Sequence, residues 1–258
     1  MRALDLFCCA GGATRGLQQA GFHVTGVDVK PQPRYCGDAF HQADALTFPL
    51  DGYDFIWASP PCQAHTSMKT MHNAKAHLDL IPATRDRLKA SGIPYVIENV
   101  VGAPVDGFTL CGTMFGLGVD DAELRRHRLF EASFPILAPR CQHKMRATIG
   151  VYGGHVRNRQ RREGSASRGV ADFSIKQGQA AMQIDWMTLA ELSQAIPPAY
   201  AEFIGRAALS YIASISARAS RTPTKAEPCS RCCPARPNNL PPLRGGVSQQ
   251  KERNGGVR

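Results

Sequence analysis

The chain has 258 residues, 43% of them hydrophobic and 20% charged, with a formal net charge of +10. That is enough chain to bury one sizeable core, and no run approaches the roughly 18 apolar residues of a membrane span. The 9 cysteines, at 8, 9, 36, 62, 111, 141, 229, 232 and 233, lack regular spacing, which argues against a disulfide scaffold and for a reducing, cytoplasmic setting.

The first residues, MRALDLFCCAGGA, resemble a secretion signal in outline, but Asp5 interrupts the short apolar run. They read better as a strand over 3–7 and a glycine-rich turn, CCAGG, followed by a helix over 14–20. Further strands are predicted at 23–29 (HVTGVDV), 53–58 and 95–100 (YVIENV). A helix at about 80–90 separates the last two, with Pro82 in its first turn and Gly92 as its stop. Strands alternating with helices predict a doubly wound, mostly parallel α/β sheet, which binds ligands beyond the carboxyl ends of its strands. This domain is assigned to 1–139.

From 140 the pattern dissolves. Residues 140–176 carry nine basic groups against two acidic ones, so a short basic insert, 140–182, is a candidate polyanion contact. Helical signals return over 183–214. Thr188 opens a capping box, and a helix begins near Pro198 with an apolar face of Tyr200, Phe203, Ile204, Ala207, Ala208 and Tyr211. Residues 215–258, rich in Pro, Ser, Arg and Gly, are expected to be a disordered basic tail.

Four segments carry chemistry. In the turn after the first strand, small residues let the backbone approach a ligand. Asp28, ending the second strand, has the acceptor that ribose hydroxyls require. Asp44, in HQADAL, is a looser candidate for the adenine end. The spacing of a dinucleotide fingerprint is not met. In ASPPCQAHTSM an apolar strand stops at two prolines, which stiffen the backbone carrying Cys62. Such stiffness suits a nucleophile that must meet its target at a fixed angle. His65 is assigned to loop packing or phosphate contact. Glu98 lies inside a buried-looking strand, so its carboxyl must be paired, protonated or functional. In LRRHRLF, Arg126 and Arg128 fall on one side of an extended segment.

In this order the four resemble the motifs of the DNA (cytosine-5) methyltransferases. DLFCCAGG resembles the cofactor motif, ASPPCQ the nucleophile motif, IENV the acid motif and RRHRLF the paired arginines. QAIPP with AYAEFIG resembles the closing motif. The resemblance spans roughly residues 3–212, and its compact layout is most similar to phage-encoded or small bacterial members. It implies S-adenosylmethionine as cofactor and double-stranded DNA as partner, with a cytosine flipped from the duplex. Cys62 would attack carbon 6, Glu98 would protonate ring nitrogen 3, and Arg128 with Arg126 would bind the base oxygen. Phe7, Ala10, Gly11, Gly12, Asp28, Asp44 and Pro60 would hold the cofactor. Pro61, Gln63 and Thr66 would contact the base and DNA. The insert would read the target through Arg157, Arg159, Arg161 and Arg162, and the enzyme would act as a monomer.

Three features depart from the family pattern. Cys9 stands where a glycine is usual, Leu124 where a glutamine often stands, and Ser193 with Gln194 where Gly-Asn is common. The rival readings are a tRNA cytosine-5 methyltransferase, a catalytically inactive DNA-binding relative, and a hydrolase using Cys62 and His65, for which no orienting partner is recognisable. Cys111, Cys141 and His143, and likewise the cysteines at 229, 232 and 233, lack the second paired-ligand motif of a zinc site, so no metal is expected.

Overall fold

The computed structural model describes residues 1–65, 78–144, 147–152, 170–171 and 173–220; Met1–Ser220 forms one compact unit. A seven-stranded sheet runs β3-β2-β1-β4-β5-β9-β6. Its members are β1 (Arg2–Leu6), β2 (His23–Asp28), β3 (Ala39–Gln42), β4 (Phe55–Ala58), β5 (Tyr95–Asn99), β6 (Phe108–Leu110) and β9 (Arg128–Ala132). The first five are parallel, whereas β9 runs antiparallel to both neighbours. The expected doubly wound sheet is therefore present, with one reversed strand. Order reverses at β1, between β2 and β4, so the carboxyl ends of β1 and β4 flank the switch point where such sheets bind ligands.

The strand sequences cover both faces. Ala3, Phe55, Trp57, Val96 and Phe130 pack in one buried cluster with Leu17, Tyr200, Ile204 and Ala208, which come from α1 (Gly12–Ala20) and α5 (Pro198–Ala219). Leu4, Leu6, Ile56, Ala58 and Ile97 pack in the other with Ile81 and Leu88 of α2 (Ile81–Ser91). The period of two along each strand thus feeds two cores. Pro82 sits in the first turn of α2, and Gly92 caps it with φ 68°. α4 (Leu189–Gln194) has the expected capping box between Thr188 and Glu191.

Two boundary expectations are corrected. The described part of the insert, where the sequence pattern dissolves, contributes to the core. Ile149, Val151 and Phe173 are core residues, and α3 (Ile175–Met182) starts at a second capping box, Ser174 with Gln177, because a short apolar anchor suffices once neighbours cover it. α5 continues to Ala219 rather than stopping at 214: its last turns are exposed, and no proline or glycine breaks them. A smaller sheet, β11-β10-β8-β7, joins β7 (Gly118–Val119) and β8 (Ala122–Glu123) to β10 (Thr148–Ile149) and β11 (Val170–Ala171). Its two-residue strands are too short for periodicity to reveal. Among the described residues, no helix is long and apolar enough to cross a membrane.

Candidate active site

Beyond β1 the backbone takes a left-handed course, with φ of 61° at Phe7, 46° at Cys9 and 87° at Gly11. For residues bearing a Cβ this costs on the order of 1–3 kcal/mol each, so the turn must be held. The Cys8 N–H donates to the Val27 carbonyl (3.1 Å) and the Gly11 N–H to the Cys8 carbonyl (3.0 Å). The Cys9 N–H donates to Asp28 Oδ2 (3.0 Å), and Asp28 Oδ1 accepts from the Lys30 N–H (2.9 Å). The left-handed φ of Cys9 gives the physical reason why glycine suits that position. Gly12 answers to packing: a Cβ there would stand 2.5 Å from the Ile196 carbonyl oxygen. Ala10 is buried, and its carbonyl accepts from the Trp186 indole N–H (2.9 Å). Asp44 is exposed, and its Oδ1 accepts from the Leu46 N–H (2.8 Å) in a local turn.

Asp5 lies beneath this turn. It is buried and accepts from the Thr14 hydroxyl (2.5 Å). Burial pushes its carboxyl up to about 7, against the pull of the Thr14 hydrogen bonds.

The nucleophile motif leaves β4 beside this turn. The Ser59 N–H donates to the Leu6 carbonyl (3.1 Å), and the Asn99 side-chain amide donates to the Pro60 carbonyl (2.9 Å). Pro60 is buried, Cys62 is half-buried, and Pro61 and Gln63 face solvent. Glu98 and Asn99, the last residues of β5, are buried. Arg128, the first residue of β9, places its Nε 3.2 Å from Glu98 Oε1. Burial raises the Glu98 carboxyl, opposed by Arg128, a Ser59 hydrogen bond and Arg126. Burial likewise raises the Cys62 thiol, and the Glu98 charge adds to it, while Arg128 and Arg126 pull it down. Sulfur, carboxyl and guanidinium thus act on one another across the ends of three strands.

The two arginines have divided tasks. Arg126 is buried and donates to the carbonyls of Val151 (2.5 Å) and Ser193 (2.8 Å). Its own carbonyl accepts from the Tyr200 hydroxyl (2.6 Å). Burial, and then the Arg128 charge, lower its pKa to about 9. Arg126 therefore ties the arginine strand to the insert and the closing segment, while Arg128 faces Glu98.

His65 is more constrained than its sequence context suggests, with its Nε2 3.0 Å from Asp79 Oδ1. That carboxylate is an orienting partner that sequence reading did not find, because Asp79 lies fourteen positions along the chain. Thr66 and the arginines at 157, 159, 161 and 162 lie outside the described residues. The side chains set aside as metal ligands on spacing, Cys111, Cys141 and His143, converge, together with His127. Asn99, Ser59 and Tyr200 were missed as site residues. Asn99 and Ser59 stood inside the quoted motifs, but their roles depend on β4 lying beside β5. Two surface hollows, of about 290 and 280 Å³, lie beside α2 with α5 and beside β7 with β8; neither includes Cys62, Glu98 or Arg128.

No protein-family model matches the chain, and no curated protein matches it. Solved structures do. A putative DNA modification methyltransferase encoded within an E. coli prophage aligns with a TM-score of 0.52 at 13% identity, covering 83% of this chain and 99% of the other. The S. pombe Dnmt2 methyltransferase aligns with a TM-score of 0.52 at 12% identity, over 82% and 99%. This chain therefore has the mixed α/β fold of these two methyltransferases.

Proposed function

We propose that this protein is an S-adenosylmethionine-dependent DNA cytosine-5 methyltransferase of the compact phage or bacterial kind. The observation that carries the reading is the 3.2 Å pair of Arg128 and Glu98, at the end of β5 that the Asn99–Pro60 hydrogen bond joins to the segment carrying Cys62. The residues after β1 and β2 fit the cofactor. Each Asp28 oxygen accepts one backbone N–H and keeps acceptor capacity for a ribose hydroxyl. Phe7 and the backbone of 10–12 border the same strand end, with Pro60 following β4 and Asp44 following β3. Bound there, S-adenosylmethionine supplies an electrophilic methyl group.

The chain's own residues do the rest. Burial raises the Glu98 carboxyl, which favours its giving a proton to ring nitrogen 3 of a flipped cytosine in the complex. Cys62, deprotonated in the complex, forms its bond to carbon 6 as that nitrogen is protonated. The ring electrons then collect at carbon 5, which takes the methyl group. Loss of the carbon-5 proton to water restores the ring double bond and expels the Cys62 thiolate, ring nitrogen 3 returns its proton to Glu98, and S-adenosylhomocysteine is left as the by-product. Arg128 holds Glu98 and faces the base oxygen, whereas Arg126 is a positioning residue. Pro61, Gln63 and Thr66, which follow β4, would meet the extruded base and the DNA. The arginines at 157, 159, 161 and 162 would contact phosphates or guanine edges.

Bisulfite sequencing of DNA from cells expressing the wild type beside Cys62→Ser tests this. Methylated cytosines in a short recurring sequence are expected with the wild type and none with Cys62→Ser. Purified protein is also incubated separately with DNA and tRNA and a labelled methyl donor. Label confined to tRNA would overturn the DNA substrate, and equal methylation by Cys62→Ser would overturn the covalent mechanism.

A further inference from the structure

One side-chain cluster, next to the arginine motif, has no part in this chemistry. Cys111 directly follows β6, His127 lies between the two arginines, and Cys141 and His143 open the basic insert. Their ligating atoms all lie within 4.8 Å of one another. Cys111 Sγ is 3.4 Å from His143 Nε2, and Cys141 Sγ is 3.5 Å from His127 Nε2 and 2.7 Å from His143 Nε2. A tetrahedral zinc ion, with bonds of roughly 2.3 Å to sulfur and 2.0 Å to nitrogen, separates neighbouring sulfur and nitrogen ligands by about 3.5 Å. Two of the three contacts match that edge, and the third opens by under an ångström. The rings of His127 and His143 cross at 82° with centroids 5.2 Å apart.

Thr113 borders both sulfurs. Thr113 gives Cys111 both a backbone and a hydroxyl hydrogen bond, and its hydroxyl lies 3.6 Å from Cys141 Sγ. The His127 ring also has a backbone hydrogen bond at Arg125, the outer-shell contact that orients metal-bound imidazoles. Cys111 is buried while Cys141 and His143 are exposed, which leaves the cluster a covered floor and an open side for metal entry.

We propose that Cys111, His127, Cys141 and His143 form a structural zinc site. Two thiolates and two imidazoles make a closed, four-ligand set that selects zinc over hard cations. Binding releases two thiol protons to solvent and leaves the ion without an open position for chemistry. The ligands join three separate segments: the turn after β6, the arginine motif and the entrance to the insert. Zinc therefore locks His127, and with it the backbone of Arg126 and Arg128, to the base of the insert. The site stands on its own geometry; only its bearing on methyl transfer rests on the reading above.

The test uses the full chain, purified without a polyhistidine tag. Elemental analysis is expected to find one zinc per chain, falling at least fivefold in Cys141→Ser and in His143→Ala. A chain carrying Cys229→Ser, Cys232→Ser and Cys233→Ser together retains the metal, as does Cys62→Ser, so a failed methyltransferase reading leaves this result unchanged. Cobalt exchanged into the wild type gives the visible bands of a tetrahedral ion with thiolate charge transfer. That readout does not depend on any variant folding. Chelation lowers the melting temperature of the wild type, and added zinc restores it. The proposal is overturned if the wild type neither retains zinc nor takes up cobalt. Metal that follows the cysteines at 229, 232 and 233, or a disulfide between Cys111 and Cys141 in freshly purified protein, overturns it equally.

Discussion

The hydrogen bond from Asn99 to the Pro60 carbonyl offers a direct test of how Cys62, the proposed nucleophile, is aimed. Both residues are buried, and the 2.9 Å contact joins the end of β5 to the segment that presents Cys62 two residues later. Asn99→Ala leaves that carbonyl without its donor and frees the Val100 N–H, which Asn99 Oδ1 accepts at 2.9 Å. An orphaned buried group costs about 1–3 kcal/mol, which for a fold of this size lowers the melting temperature by roughly 2–4 °C per kcal/mol. The larger effect falls on rate. A displacement near 1 Å in a reacting group costs on the order of 100-fold, so methyl transfer slows by about 10- to 100-fold, with DNA and cofactor affinity nearly unchanged. Single-turnover methylation measured well below the melting temperature separates the two effects. Asn99→Asp is the informative partner: it keeps the acceptor for Val100 but sets a carboxylate against a carbonyl, and should be at least as slow. Wild-type single-turnover rates in both variants, with melting temperatures within 1 °C of wild type, would refute the view that this bond aims the thiol.

The two arginines should fail differently. Arg126→Ala removes two donors from the carbonyls of Val151 and Ser193 and should destabilise the fold by about 3 kcal/mol, read from urea unfolding. Arg128→Ala should leave most stability in place while abolishing detectable methylation. Asp5 predicts a pH dependence of stability. Its carboxyl titrates near 7 when folded, against 3.8 ordinarily, so between those values the folded state holds a proton that the unfolded state has released. Stability then falls as pH rises from about 4 to about 7, by up to roughly 4 kcal/mol, and levels off above. Asp5→Asn should flatten that slope in denaturant titrations across this window; an unchanged slope would place the titration elsewhere.

What the sequence discloses here follows the range of the interaction responsible. Strands β1, β2, β4 and β5, helix α2 with Pro82 and Gly92, and the Thr188 capping box are each written in a few adjacent residues, and all appear within a residue or two of their predicted bounds. Strand β3, by contrast, is mostly exposed, so no apolar alternation announces it, and it exists because β2 offers an edge. The site divides in the same way. Cys62 and Glu98 stand out as candidates because each breaks a local rule, a thiol behind two prolines and an acid in a buried strand, whereas Arg128 stands out only as one of a pair. Asn99 and Ser59 break none; each is an unremarkable polar residue until the parallel pairing of β4 with β5 sets them opposite their partners. Arg126 shows the limit most sharply. In the sequence it is equivalent to Arg128, two residues earlier and on the same side of an extended segment, and nothing local distinguishes them. The carbonyls that claim it belong to Val151 and Ser193, 25 and 67 residues away, on segments that the closing of the fold brings in. Sequence pairs the two arginines, and tertiary packing gives one of them to the scaffold and leaves the other to face Glu98.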